Sequence, residues 1–262
     1  MALSEKSKGK VAIVTGGGSG IGAATAKKFA DNGIRVCIMD INIDNAEKIK
    51  EEITNAGGEA CVYEVDIRDE AQIREGISQV MNKWERLDIL FSNAGINGTL
   101  SSIEEFEISD WNEVIETNLR STFLFVKYCI PHMKEQGGSI IITSSINGNR
   151  RFAGFGMAAY STSKAGQIGF MKMAALELAR YKIRVNAICP GAIETNIDSS
   201  TTKSESLKEI EIPIEYPEGM QPLADGPGSA EQVANLVYFL ASDESSHVSG
   251  TEIYVDGTES LL

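Results

Sequence analysis

Short β-branched runs alternate with longer segments of helical spacing from one end of this chain to the other, and few folds accept that rhythm. The runs cover residues 11–14, 35–39, 60–65, 88–91, 139–143, 183–188 and 252–255. They are almost continuously apolar, as strands covered on both faces must be. Between them, residues 21–30, 43–56, 70–84, 111–133, 158–181 and 230–241 carry apolar positions at helical intervals. Asp44 and Asp69 stand where a helix wants a capping oxygen, and Gly33 and Gly57 where helices end. Repeated βαβ units with right-handed crossovers give an α/β fold, a doubly wound, seven-stranded parallel Rossmann sheet with helices on both faces.

The length suits one large α/β domain over residues 1–262. Residues 196–228 break the rhythm, first Ser/Thr-rich, then bearing Pro213, Pro217, Pro222 and Pro227. One short helix is expected near Leu207 to Ile210. A long irregular insertion in a compact domain is expected to serve as a substrate loop.

The net charge of -13 repels phosphate backbones and anionic lipid, so neither nucleic acid nor membrane is an expected partner. The first ten residues have no apolar stretch after their charges and do not read as a signal peptide. Cys37, Cys61, Cys129 and Cys189 lack redox or zinc spacing and are expected as buried, reduced thiols in a cytoplasmic protein. With His132 and His247 the only histidines, no metal site is expected.

Two motifs carry chemistry. Thr15-Gly16-Gly17-Gly18-Ser19-Gly20-Ile21-Gly22 lies between the first strand and the first helix. Glycines let backbone approach a pyrophosphate, and a helix N-terminus offers it free N–H groups. Asp40 closes the second strand, where a ribose-binding carboxylate is expected, with a helix cap or a surface acid as the plainer reading. Next to it, Ile41 is uncharged, and so is Ser19 in the turn. Lys10 and Arg35, the nearest basic residues in sequence, are not at the carboxyl ends of strands. The cofactor expected from this is NAD, not NADP.

Tyr160 and Lys164, four residues apart on a helix, share one face. A phenol near an ammonium group is a tunable proton donor and acceptor.

Over essentially the whole chain, these and further elements resemble the short-chain dehydrogenase/reductase family. Thr15 to Gly22 is similar to its TGxxxGxG turn, Asn93-Ala94-Gly95 to its NAG element and Asn118 to its helix asparagine. Ser144-Ser145 with Gly148 resembles its serine motif, and Tyr160 to Lys164 its YxxxK. Pro190-Gly191 ends the sixth strand, with Ile193 and Thr195 where the family touches the nicotinamide carboxamide.

The resemblance implies an enzyme interconverting a secondary alcohol and a ketone. Tyr160 would be the acid/base, Ser145 (or its neighbour Ser144) would hydrogen-bond the substrate oxygen, and Lys164 would hold the nicotinamide ribose and lower the tyrosine pKa. Asn118 would position a water leading from Lys164 to solvent, and Asp66 and Ile67 would line the adenine. Residues 93–95 would pass the cofactor ribose. Beyond Gly16, Ser19, Gly20, Ile21 and Gly22, the cofactor would thus meet Asp40, Ile41, Asp66, Ile67, Asn93, Ala94, Gly95, Tyr160, Lys164, Pro190, Gly191, Ile193 and Thr195.

Departures from the pattern are Ser92 for a second asparagine, a longer stretch between Ser145 and Tyr160, and Thr258 for a frequent glycine. A pocket wall from Ile96, Asn97, residues 147–157 and the insertion is expected to take a small-molecule substrate, with Phe152, Phe155 and Met157 apolar. Alternatives are a reductase of carrier-bound 3-oxoacyl chains and a non-catalytic dinucleotide-binding regulator. The family also implies a homotetramer paired through its long central helices.

Overall fold

The computed structural model describes residues 7–152, 154–212, 221–224 and 226–262. One seven-stranded sheet runs through it, built from β1 (Val11–Thr15), β2 (Arg35–Asp40), β3 (Ala60–Glu64), β4 (Ile89–Ser92), β6 (Gly138–Thr143), β7 (Ile183–Pro190) and β9 (Glu252–Val255). All pairings are parallel, in the order β3-β2-β1-β4-β6-β7-β9. The seven strands match the runs expected from sequence to within two residues at either end.

Strand periodicity of two divides the core. Val11 and Ile13 enter one apolar layer, whereas Ala12 and Val14 enter the other. The first layer is covered by α3 (Glu70–Trp84), α5 (Ser121–Met133) and α6 (Ala158–Leu178), through residues such as Ile73, Phe125 and Met171. The second is covered by α1 (Gly20–Asp31), α2 (Ile43–Asn55) and α8 (Ala230–Ala241), through Phe29, Ile49 and Val237. Helices on both faces close the doubly wound architecture.

Local chemistry sets the helix ends. Asp69 caps α3, accepting from the N–H groups of Ala71 and Gln72. The cap of α2 is Asn42, whose side chain accepts from the Asn45 N–H at 3.0 Å, and not Asp44, which falls within the first turn. Gly33 and Gly57 follow helices with positive φ, as expected. Helix α8 begins with a reciprocal capping box between Ser229 and Gln232.

The segment expected as one helix over 111–133 is three pieces: α4 (Ile108–Val114), a π-helical turn (Ile115–Arg120) and α5. The carbonyl of Asn118 in that turn accepts Gln167 Nε2 of α6 at 2.8 Å and Thr122 Oγ1 at 2.9 Å. Donors outside the ladder thus take up a carbonyl that the widened turn presents sideways.

The insertion contains the short α7 (Leu207–Ile210) foreseen from sequence. It also carries β8 (Thr201–Lys203), which pairs in parallel with β5 (Gly98–Leu100) and anchors the insertion beside the end of β4. Pro213 and Pro217 lie outside the described residues. All four cysteines are buried and free. Among the described residues no helix is long and apolar enough to cross a membrane, and no group of three His, Cys, Asp or Glu side chains lies close enough to hold a metal ion.

Candidate active site

Chain order reverses between β1 and β4, so the loops leaving their carboxyl ends diverge and open a crevice. The crevice has a volume of about 1330 Å³ and runs from Asp40 and Asp66 at one end to Ser145, Tyr160 and residues 196–200 at the other.

At the β1–α1 turn, Gly16, Ser19, Gly20 and Ile21 line the crevice. The Ser19 hydroxyl makes no capping bond and the first turn of α1 carries no acidic residue, so the positive end of the helix stays open to the cleft. Gly22 does not line it: a Cβ there would stand 2.0 Å from the Gly16 carbonyl oxygen, so this glycine lets the turn close onto its helix. Thr15 knits the turn to the next loop, its hydroxyl accepting the N–H groups of Asn93 (2.9 Å) and Ala94 (3.1 Å). Asn93 Nδ2 returns a bond to the Thr15 carbonyl at 3.1 Å. Thr15, which opens the motif, thus belongs to the site as the tie between the turn and the loop after β4.

Asp40 receives the Gly18 N–H on Oδ2 at 2.8 Å and the Asn42 N–H on Oδ1 at 2.9 Å. These bonds fix the carboxylate, which lines the crevice with Ile41, Asp66 and Ile67. Lys10 and Arg35 are engaged elsewhere, with Asp243 and Glu59. Arg68 was not singled out from sequence, yet it also lines this end. Its guanidinium is held by Asp66 (Nη2 to Oδ2 2.7 Å, Nε to Oδ1 3.0 Å), with Glu113 at 3.4 Å. That pairing holds the Asp66 carboxyl below its ordinary range.

At the opposite end, Tyr160 and Lys164 project from α6 into the crevice beside Ser145. Ser144 and Ser145 divide as neighbours on an extended backbone do. The Ser144 hydroxyl donates to the Lys164 carbonyl at 2.9 Å, while Ser145 lies against the Tyr160 hydroxyl and accepts the Asn147 N–H at 3.2 Å. Burial pushes the Tyr160 phenol upward, and the hydrogen bond with Ser145 only partly offsets it. Lys164 Nζ sits 5.5 Å from the centre of the Tyr160 ring and donates to the Thr143 carbonyl at 2.8 Å. Desolvation lowers this ammonium to about 8. The phenol is thus shifted upward, the opposite direction to the lowering expected from a nearby ammonium.

Asn118 is fully buried behind the crevice wall. Its carboxamide spans the Ile96 backbone, accepting from N–H and donating to O at 2.9 Å each, and donates to Ser163 Oγ at 3.1 Å. Asn93 and Thr143 are joined at 3.1 Å, which ties the residues 93–95 to the end of β6. Gly95 passes so close that a Cβ would lie 3.5 Å from Lys164 Nζ.

Pro190, Gly191, Ile193 and Thr195 also line the crevice. Their loop is held from the C-terminal segment by Glu259, a residue that sequence alone did not mark. Its Oε2 accepts the Ala192 N–H at 2.8 Å and Gln221 Nε2 at 2.6 Å, and its Oε1 meets Arg151 Nη1 at 2.5 Å. At the mouth, Met157 lines the crevice as expected, whereas Phe152 is 68% exposed and Phe155 is not part of the lining.

Residues 16–258 match the family profile described as enoyl-(acyl carrier protein) reductase. The chain belongs to the short-chain dehydrogenase/reductase family. It is 35% identical over 256 residues to a cyclohexanol dehydrogenase of Acinetobacter sp. (strain SE19), covering 97% of this chain and 96% of that one. Its fold superposes with a TM-score of 0.92 on a 3-ketoacyl-ACP reductase from Sinorhizobium meliloti 1021 at 42% identity, covering 96% of this chain and 99% of the other. A 3-ketoacyl-(acyl-carrier-protein) reductase from Brucella melitensis, complexed with NADH, gives 0.85 at 30% identity, with 97% and 99% covered. This short-chain dehydrogenase/reductase is an oxidoreductase of the type that binds a nicotinamide dinucleotide.

Proposed function

We propose that the protein interconverts a secondary alcohol and a ketone with NAD, using Tyr160 as general acid and base. The observation that carries this reading is the Ser145–Tyr160–Lys164 group at the inner end of a cleft whose other end closes on Asp40. When bound, the dinucleotide supplies the hydride chemistry. The residues fit it: Gly16, Ser19, Gly20 and Ile21 present backbone at an open helix N-terminus, which suits a pyrophosphate. Asp40, fixed by two N–H groups, offers its remaining lone pairs to ribose hydroxyls and repels a 2′-phosphate. Asp66 and Ile67 face the adenine end, Asn93 to Gly95 the ribose, and Pro190, Gly191, Ile193 and Thr195 the nicotinamide.

Tyr160 donates its proton to the carbonyl oxygen during reduction and takes the hydroxyl proton during oxidation. Its raised pKa suits the first role, and the charge of the oxidised cofactor favours the second. Ser145 aligns the substrate oxygen, whereas Ser144 is engaged behind it. Lys164 orients the ribose. Asn118 holds the Ile96 backbone and so shapes the wall; the water it is expected to position would lead from Lys164 outward. The whole chain acts as one catalytic unit, with the insertion at 196–228 as substrate loop.

A carrier-bound 3-oxoacyl substrate is the second reading, favoured by the names of two solved relatives. Asp40 and the net charge of -13 disfavour it. A homotetramer is proposed from the exposed apolar face of α5 and α6, where Phe123, Met173 and Leu176 are 47, 66 and 75% exposed. The free buried thiols suit a cytoplasmic setting.

The decisive experiment is NAD reduction across a panel of secondary alcohols with Tyr160→Phe as the blank. Turnover should disappear in Tyr160→Phe while NAD affinity changes by no more than about threefold. Retention of most activity by Tyr160→Phe would remove this mechanism.

A further inference from the structure

The charges around the substrate end of the cleft are strongly one-sided. Among the described residues that line the whole cleft only Arg68 and Lys164 carry positive charge; Asp40, Asp66 and Glu113 stand at the far end, Glu259 is paired with Arg151, and Glu194 and Asp198 remain as the acids of the substrate end. Neither cation is available to a substrate anion. Arg68 is at the adenine end, forked onto Asp66, and Lys164 is buried with its ammonium on the Thr143 carbonyl.

The arginines of the neighbouring wall are drawn off as well. Arg150 stacks on the Tyr254 ring at 3.6 Å, and Arg151 is paired with Glu259. The insertion adds to the bias. Its described residues carry Asp198, Glu205, Glu209 and Glu211 against Lys203 and Lys208, of which Asp198 lines the cleft and Lys208 is paired with Glu205.

What remains at the reacting centre is neutral hydrogen-bonding chemistry. Asn147 lines the cleft two residues after Ser145. Among the described residues its side-chain nitrogen has only a 4.0 Å contact with Met157 Sδ, so its carboxamide has bonding capacity to spare. Asn97 is oriented by Ser200 and Thr201, which leaves its carboxamide oxygen for a ligand. Ser199, Ser200 and Met157 complete this end.

On the alcohol dehydrogenase reading above, we infer that the substrate is uncharged and carries a second neutral oxygen beside the reacting carbon, read by Asn147. The class is a vicinal diol or its hydroxy-ketone, as opposed to a hydroxy acid, a phosphate ester or a phosphopantetheine-linked chain. Among the described residues that line this end, an anion would meet Glu194 and Asp198 and no cation free to pair with it, and desolvating it there is costly. A hydroxyl instead matches an amide that can both donate and accept.

The test uses the whole chain with saturating NAD and matched pairs on two scaffolds: butane-2,3-diol against 3-hydroxybutyrate, and cyclohexane-1,2-diol against 2-hydroxycyclohexanecarboxylate. In each pair the diol should have the higher kcat/KM by about tenfold or more. Added salt should narrow that gap by screening the anion. Asn147→Ala should lower kcat/KM for the diols but leave the mono-alcohols butan-2-ol and cyclohexanol nearly unchanged, a split that a folding defect does not produce. Asn147→Arg should move the preference toward the carboxylates. Equal or better turnover of the carboxylates, or an equal loss on diols and mono-alcohols in Asn147→Ala, overturns the inference and leaves the dehydrogenase reading standing. If no member of the panel shows turnover that depends on Tyr160, the dehydrogenase reading fails and the inference falls with it.

Discussion

Replacing Glu259 by alanine should damage both the stability of the protein and its grip on the dinucleotide, although the residue is fourth from the end of the chain. The carboxylate is 6% exposed and accepts from three donors on three different segments. Gly191 is close enough that a Cβ there would lie 2.7 Å from Glu259 Oε2. The pair with Arg151 is nearly as deep, with side-chain exposures of 10 and 9%. Removing one partner of a buried pair costs about 3–5 kcal/mol, and a hydrogen bond to a charged group contributes about 1.5–3 kcal/mol. These overlap, so the expected loss is about 4 kcal/mol. For a chain of this size that lowers Tm by roughly 10 °C. Glu259→Gln keeps an acceptor for the Ala192 N–H and should lose about half as much. Because the Ala192 amide belongs to the loop proposed to meet the nicotinamide, Kd for NAD should rise several-fold in Glu259→Ala. Thermal unfolding followed by circular dichroism, with calorimetric titration of NAD, measures both. A Tm within about 2 °C of wild type and an unchanged Kd would show that the C-terminal segment does not hold this loop.

Three further outcomes are expected. Thr258 adopts a left-handed φ of 69°, which a β-branched residue tolerates poorly, so Thr258→Gly should raise Tm by a few degrees as relief of strain exceeds the added chain entropy; an unchanged or lower Tm argues against strain there. Lys164 has its folded pKa lowered to about 8 from 10.5, so wild-type stability should increase between about pH 8 and 10.5, where the unfolded chain binds the additional proton. Lys164→Met should therefore be more stable than wild type below pH 8, by up to ~3 kcal/mol, with the gap closing as pH rises toward 10; denaturant titrations at several pH values would contradict this if the gap were constant. Wild type should prefer NAD over NADP by at least about tenfold, and Asp40→Ala should narrow that ratio mainly by improving NADP, so a higher kcat/KM with NADP in the wild-type protein disproves the role given to Asp40.

The sheet and its helices were legible from sequence because they rest on periodicity, a local property: buried runs such as Ile140-Ile141-Ile142 and the helical spacing of residues 70–84 each report their own element. Motif spacing located the glycine-rich turn, Asp40, Ser145, Tyr160 and Lys164 for the same reason, since each motif is carried within one strand end, turn or helix. What only the tertiary structure decided concerns residues far apart in the chain. Arg68 reaches the Asp40 end of the cleft because parallel pairing of β2 with β3 sets the loop after β3 beside Asp40. Glu259 reaches Ala192 and Arg151 because β9 lies along β7, which returns the C-terminal segment to the cleft. The π-turn around Asn118 depends on Gln167 of another helix, and the β5–β8 pairing on contacts about a hundred residues apart. The upward shift of the Tyr160 phenol was not legible from its spacing to Lys164, because the desolvation that causes it is imposed by the whole surrounding fold.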